Sequence, residues 1–232
     1  MNNFFRGMRA GIPIGLGYLS VSFTFGIMAV SYGFAWWQAV LISMTTLTSA
    51  GQLAGIEIML NPMQYVEMFV SQLTINVRYS FMSVSLSQNV SSKFCGARRW
   101  LMGFFMTDEI FAVASKEKEV TTSFFAGLTI FPYAGWTLGT LSGAVLGNVL
   151  PQMIMSALCL AIYGMFIAII VPEIKKSLQL LIVVLFAVGL SCMFYYLPVL
   201  NTVSSGIAIS VCAIAAAAYG AVFYPVKEDE FR

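Results

Sequence analysis

The chain has no histidine among its 232 residues, so the usual zinc and haem ligand sets and Ser–His catalysis lose their commonest member. Charge is scarce as well. Asp, Glu, Lys and Arg make up 9% of the chain against 59% hydrophobic residues, and the mean hydropathy is +0.85. The near-absence of long polar stretches excludes a soluble globular domain. Four cysteines, Cys95, Cys159, Cys192 and Cys212, stand singly with no Cys-x-x-Cys pair. Three of them lie in apolar segments, where cysteine behaves as a small hydrophobe, so neither a disulfide framework nor a metal site is implied. A Gly-rich phosphate loop followed by Lys-Ser/Thr is missing too, which leaves ATP hydrolysis within this chain unsupported. No cofactor is implied. The net charge of +2 carries no nucleic-acid signal, because the basic residues sit in small groups beside hydrophobic segments, as topology determinants do.

What remains is a chain for lipid. Hydrophobic segments fall at 12–34, 37–60, 64–87, 100–115, 123–149, 152–172, 178–197 and 203–224. A segment surrounded by lipid must satisfy its own backbone, so these are read as helices. At roughly 20 apolar residues per span, the expectation is an all-α polytopic membrane bundle of about six to eight spans, one integral membrane domain over 1–232. The segment at 100–115 is the weakest, being short and containing Asp108-Glu109. Arg6 and Arg9 precede a hydrophobic run that continues to Gly33 without a signal-peptide cleavage pattern, so the first segment is read as a retained span. Loops at Tyr32–Trp37, Asn61–Pro62, Asn148–Gln152 and Pro198–Thr202 carry no Lys or Arg. From Lys118 onward basic and neutral loops alternate, which places Lys175/Lys176 and the C-terminus in the cytoplasm. The first half does not alternate: three full spans would put Lys93, Arg98 and Arg99 outside. Either an early segment enters without crossing, or this loop breaks the rule. A weak repeat at an offset of 114 residues, Gly33-x4-Gln38 against Gly147-x4-Gln152, raises duplicated halves with interrupted helices; chance similarity of apolar segments is the alternative.

Polar residues inside such segments are expensive and mark candidate sites. Arg78 sits mid-segment in Ser71-Gln72-Leu73-Thr74-Ile75-Asn76-Val77-Arg78-Tyr79-Ser80. An arginine at mid-bilayer costs about 2.5 kcal/mol on insertion scales, so Arg78 is expected to face the interior and to pair with Asp108 or Glu109; a side chain snorkelling to headgroups is the plain alternative. Asn76 shares that helix. Thr45, Thr46, Thr48, Ser49 and Gln52 plot on one helical face, and Ser49-Ala50-Gly51-Gln52 offers a backbone step where an interrupted helix exposes amides or carbonyls. Hydroxyls alone more often glue helices together. Glu57 and Glu67 flank Asn61-Pro62 and read as interfacial. Gly135, Gly139, Gly143 and Gly147 recur every fourth residue, as do Gly7, Gly11 and Gly15; that spacing lets a second backbone approach closely.

Gly11-Ile12-Pro13-Ile14-Gly15, Phe25-Gly26-x2-Ala29-x3-Gly33, Ser49-Ala50-Gly51-Gln52, Asn76-Val77-Arg78-Tyr79 and Thr107-Asp108-Glu109-x-Phe111 occur in that order. The ordered set resembles the AzlC-type branched-chain amino acid permease family, strongly over the first half and by length and hydropathy over the second. The resemblance implies a bacterial inner-membrane exporter of valine, leucine and isoleucine, working with a small hydrophobic partner subunit; separately from it, both termini are expected in the cytoplasm. The family pattern has His after the arginine where this chain has Tyr79, which puts a proton relay there in doubt. The substrate and ion pathway is expected among Ser49, Gly51, Gln52, Asn76, Arg78, Asp108 and Glu109, with Glu57 a further proton carrier and Phe25 and Phe111 suited to an aliphatic tail. Two rivals belong to other classes. One is an intramembrane enzyme using Asp108 and Glu109, although adjacent helical residues point about 100° apart and do not converge as a dyad. The other is a structural subunit whose charges only hold the bundle together.

Overall fold

The computed structural model describes residues 2–147 and 177–225, with isolated positions between 151 and 175. Most of the expected segment at 152–172, with Cys159, Gln152 of the repeat, Lys176, Lys227 and Arg232, lies outside the described residues. The fold is an all-α membrane bundle. Its helices are α1 (Asn3–Ser31), α2 (Trp36–Thr45), α3 (Ser49–Met59), α4 (Tyr65–Ser87), α5 (Ala97–Gly103), α6 (Asp108–Ala114), α7 (Thr122–Leu146), α8 (Leu178–Tyr196) and α9 (Ser205–Phe223). Among the described residues no strand forms, only an isolated bridge between Val90 and Val120, and α1, α8 and α9 are long and apolar enough to cross a membrane.

Local chemistry sets the helix ends. Asn2, Thr121, Thr107 and Ser177 accept the N–H of Phe4, Phe124, Ile110 and Leu180, each supplying an acceptor to an otherwise unpaired first-turn amide. Gly33 takes φ +91° just after α1, a left-handed turn open to glycine at no steric cost. The Gln38 side chain then accepts the Ala35 N–H at 2.8 Å. The Gly33-x4-Gln38 motif is therefore a helix stop followed by a helix start.

Two compact units emerge: Met1–Leu53 with Asn76–Ile162, and Ala54–Ile75 with Tyr163–Arg232. They do not follow the two halves of the sequence repeat. In the first unit α1 and α7 lie parallel along their lengths, with both glycine ladders between them. A Cβ built on Gly7, Gly11 or Gly15 would strike the backbone of Phe124, Leu128 or Phe131, and one on Gly135, Gly139 or Gly143 would strike that of Gly15, Leu19 or Phe23. Gly147 is looser, 3.4 Å from the Ile27 Cα. The close contact that the spacing predicted is thus internal to the chain. A buried cluster at the start of α7 (Leu86, Phe94, Met106, Ile110, Val120, Phe124) ties the end of α4 and the α5–α6 hairpin to it.

The loop that broke the charge pattern is placed by backbone bonds. Ser91 N donates to Val120 O at 3.0 Å and Val120 N to Asn89 O at 2.8 Å. Arg6 pairs with Glu117, and Asn2, Asn3, Lys93, Arg98 and Glu119 line one cleft. Apart from Arg78, the basic residues of positions 6–118 therefore gather at one end, and the chain makes one net crossing between Tyr32 and Asn89. The segment at 37–60, expected as one helix, is two. Gln52 is nine residues beyond Ser43, about 13 Å along a continuous helix, yet its side chain bonds Ser43: the chain turns at 46–48 instead of running on. The weak segment at 100–115 also breaks, at 104–107, and returns to the end it left. In the second unit α8 and α9 form a hairpin closed by the stacked rings of Phe186 and Tyr219, 4.6 Å apart.

Candidate functional site

Both broken segments turn at the level of Tyr18, about half way along α1. There α7 presents Pro132-Tyr133-Ala134-Gly135-Trp136. Tyr133 touches each turn: its hydroxyl donates to the Met44 carbonyl at 3.1 Å, in the last turn of α2, and its ring meets Phe105 edge-on at 5.4 Å. The α2 break follows from hydroxyl chemistry. Thr45 and Thr46 donate back to Leu41 and Ile42 carbonyls at 2.8 and 2.7 Å, Thr46 is extended, and Thr48 restarts the helix by accepting from Gly51 N at 3.3 Å.

Beyond that break lies a buried network. The Gln52 amide donates to Ser43 Oγ at 2.9 Å and accepts from Trp136 Nε1 at 3.0 Å. Ser43 and Thr140 share a hydrogen bond of 2.6 Å. Burying such groups is tolerable only because they satisfy one another. Trp136 also meets the Tyr18 ring edge-on at 5.0 Å, and Tyr18 carries the connection to the acidic pair. Its hydroxyl lies 2.5 Å from Glu109 Oε2 and 2.7 Å from Thr107 Oγ1. Having one proton, it donates to the carboxylate, the stronger acceptor, and Thr107 has a proton of its own for the phenol oxygen.

Asp108 points the other way, to Arg78 Nη1 at 2.8 Å. The pairing agrees with expectation; the burial expected of Arg78 does not appear. The Arg78 and Asp108 side chains are 44% and 39% exposed, because the pair lies on the open flank of α6 while Tyr18 and Glu109 fill the side toward α1. Arg78 Nη2 donates to the Tyr79 hydroxyl at 3.3 Å, and the guanidinium lies 5.0 Å from the Tyr79 ring centre. The divergence of Asp108 and Glu109 agrees with the rejection of a carboxylate dyad.

Of the other expected residues, Gln52 is central, Ser49 is half-buried and Gly51 buried near the turn, and Asn76 is half-buried one turn of α4 before Tyr79. The hydroxyl face read on one wheel does not exist, since the helix carrying it is interrupted. Ser43, Tyr133 and Trp136 were missed. Tyr133 and Trp136 flank the Gly135 ladder residue, so a polar-tipped aromatic beside a close-packing glycine was the available signal. Glu67, expected at the interface, is buried at 7% exposure in the second unit, where its Oε1 accepts the Gly206 N–H at 3.0 Å.

A helical membrane protein with two broken segments converging on buried polar groups is the class this geometry defines. Residues 13–150 match the family model described as AzlC protein. The chain belongs to that family. It is 30% identical to an uncharacterized membrane protein of Archaeoglobus fulgidus, covering 74% of this chain and 76% of that one. It is 24% identical to the inner membrane protein YgaZ of Escherichia coli over 76% of each chain, and 23% identical to an uncharacterized membrane protein of Helicobacter pylori over 64% of this chain and 68% of that one. No solved structure matches.

Proposed function

We propose that the protein is a secondary transporter that exports small aliphatic, branched-chain amino acids across a bacterial inner membrane, driven by an ion gradient and assisted by a small hydrophobic membrane subunit. One observation carries the reading: the Arg78–Asp108 ion pair at the turn of a broken segment. A zwitterionic amino acid needs a cation for its carboxylate and an anion for its ammonium, and an internal ion pair holds both in readiness. The substrate opens the pair by replacing each partner with its own opposite charge, so neither side chain is left uncompensated. Broken helices meeting half way across a bundle are the arrangement in which transporters place substrate and ion sites. Tyr79, lying against Arg78 where the resembling pattern has His, keeps the guanidinium in place without adding a second positive charge.

An enzymatic reading lacks geometric support because the two carboxylates face different partners. A purely structural subunit has no need of a half-exposed ion pair. The experiment is counterflow in proteoliposomes: vesicles loaded with unlabelled leucine should accumulate external labelled leucine when they contain the protein, with valine and isoleucine competing and lysine not. Absence of counterflow, with and without the small subunit, would reject the proposal.

A further inference from the structure

At the end of the first unit where the basic residues gather, two of them face a cavity. Lys93 and Arg98 line a cleft of about 480 Å³ together with the start of α1, at Asn2 and Asn3, and the start of α7, from Thr121 to Ser123. Asn3 donates to Thr121 Oγ1 at 3.4 Å and so joins the two helix starts. Because α1 and α7 run parallel, both turn the positive ends of their dipoles toward this cleft. Their caps accept the amides of Phe4 and Phe124, while those of Thr122 and Ser123 have no intrahelical acceptor. The Thr122 hydroxyl is itself buried with no hydrogen-bond partner among the described residues. One carboxylate, Glu119, shares the lining. Arg6 is answered by Glu117, whereas Lys93, Arg98 and Arg99 make no ion pair among the described residues. The cleft is thus concave, rich in donors and net positive. Setting topology requires Lys and Arg near the span ends, but not a cavity with two helix starts and a spare hydroxyl beside them.

The adjoining surface names the kind of anion. Arg99, the next residue of α5, lines a shallow groove with Leu86, Val90, Phe94 and Met102. Apart from Arg99, Ser83 and Ser87, that groove is apolar. Gly103 forms part of its wall, and a Cβ there would meet no atom within 4 Å, so the space beside it is open. Trp100 and Leu101 follow Arg99 and are 86% and 61% exposed. A tryptophan beside arginines at the end of a membrane helix marks the headgroup level. A soluble anion would use the cleft and leave the groove empty; a lipid fills both.

We propose that the cleft and the groove together bind one anionic phospholipid. Its phosphodiester is held by Lys93, Arg98 and the amides that open α7, and one acyl chain runs past Arg99 into the groove. Basic pockets between membrane helices recognise anionic headgroups by this chemistry. With two cations against one carboxylate, the ammonium of a zwitterionic headgroup is disfavoured. The bound lipid joins the 91–93 loop and α5 to the starts of α1 and α7. Since α5 leads through the turn at 104–107 to Asp108, the lipid steadies the segment that carries the ion pair. The site stands whatever the transported substrate is.

The test is made on the full chain purified in detergent and titrated with dioleoyl phosphatidylglycerol, dioleoyl phosphatidylethanolamine or glycerol 3-phosphate. Native mass spectrometry counts the bound molecules, and thermal unfolding reports protection. One phosphatidylglycerol should bind at least tenfold more tightly than phosphatidylethanolamine, and glycerol 3-phosphate should not protect. A basic residue near an anionic headgroup contributes about fivefold in affinity, so Lys93→Gln/Arg98→Gln should lose at least tenfold. Lys116→Gln/Lys118→Gln removes the same charge from the same end outside the cleft and should lose less than threefold. Gly103→Leu should fill the groove and weaken the phospholipid at least threefold, without lowering the unfolding temperature of the lipid-free protein. Equal affinity for the two lipids, or equal loss in the two double variants, would overturn the site. Protection by glycerol 3-phosphate alone would make it a soluble-phosphate site and overturn the lipid. If Lys93→Gln/Arg98→Gln does not fold, the comparison of the two lipids on the wild type still decides.

Discussion

Arg78 makes three contacts that demand different things of its side chain. The 2.8 Å bond to Asp108 needs charge, the 3.3 Å bond to the Tyr79 hydroxyl needs a second donor, and the approach to the Tyr79 ring needs a flat cation. Lysine supplies only the first. Arg78→Ala is therefore expected to abolish counterflow while the protein still accumulates in the membrane, and Arg78→Lys to recover less than a tenth of the wild-type rate. A stably expressed Arg78→Ala variant with full activity would remove this residue from the pathway. The adjacent carboxylates should differ. Asp108→Asn leaves Arg78 without its counter-charge and should cost at least tenfold in counterflow. Glu109→Gln keeps an oxygen for the Tyr18 hydroxyl and should lose no more than two- to threefold; equal loss in both variants would mean that the acidic pair acts as one unit. Arg78 and Asp108 were readable from sequence because charges inside an apolar run stand out. The burial of Glu67 was not legible because its partner is a backbone N–H 139 residues away, and no pattern in side-chain types records that.

Helix boundaries were legible wherever hydropathy changed sharply, and the seven expected segments that fall among the described residues reappear within a few residues of their outer limits, apart from the earlier start of α1. The two breaks were not. The stretch Thr46-Leu47-Thr48 contains neither Pro nor Gly, and what ends α2 there is hydroxyls donating to its own carbonyls plus a Tyr133 hydroxyl from a distant helix. The sequence placed the interruption at Ser49–Gln52, a few residues late, because glycine is the more familiar breaker. The ladder on α7 was legible as close packing, but its partner was not, since spacing names a face and not what meets it. With α1 now the partner, a leucine at Gly143 must push against the Phe23 backbone, and backbone cannot rotate aside as a side chain does. Overpacking of that kind costs about 3 kcal/mol. Gly143→Leu should therefore reduce yield and thermal stability of the chain purified alone, with Gly147→Ala milder because a Cβ there would stand 3.4 Å from α1, at the Ile27 Cα, and crowd only the Gly143 carbonyl of its own helix, at 2.9 Å. Normal yield for Gly143→Leu combined with loss of a co-purifying subunit would transfer the ladder to an external interface.

Across the first unit, charge and crossing number now agree. Taken as full spans, the first three segments, 12–34, 37–60 and 64–87, put Lys93, Arg98 and Arg99 on the side that the positive-inside rule forbids. The backbone bonds between 89–91 and Val120 remove the conflict, because they hold that loop beside the start of α7, and α7 runs parallel to α1. One net crossing then suffices between Tyr32 and Asn89, with α2 turning back and α5–α6 entering and leaving by the same end. Hydropathy could not reveal this, since a segment that turns half way is as apolar as one that crosses. The arrangement makes a direct prediction for single cysteines in a chain whose four native cysteines are replaced by serine. Cysteines at Ser92 and Lys118 should react with a membrane-impermeant maleimide from the same side of sealed vesicles as one at Asn3, and a cysteine at Tyr32 from the opposite side. If Ser92→Cys instead labelled with Tyr32→Cys, α4 would have to end at the other face, the Val90–Val120 pairing would be lost with it, and the meeting of the two turns at Tyr18 could not stand.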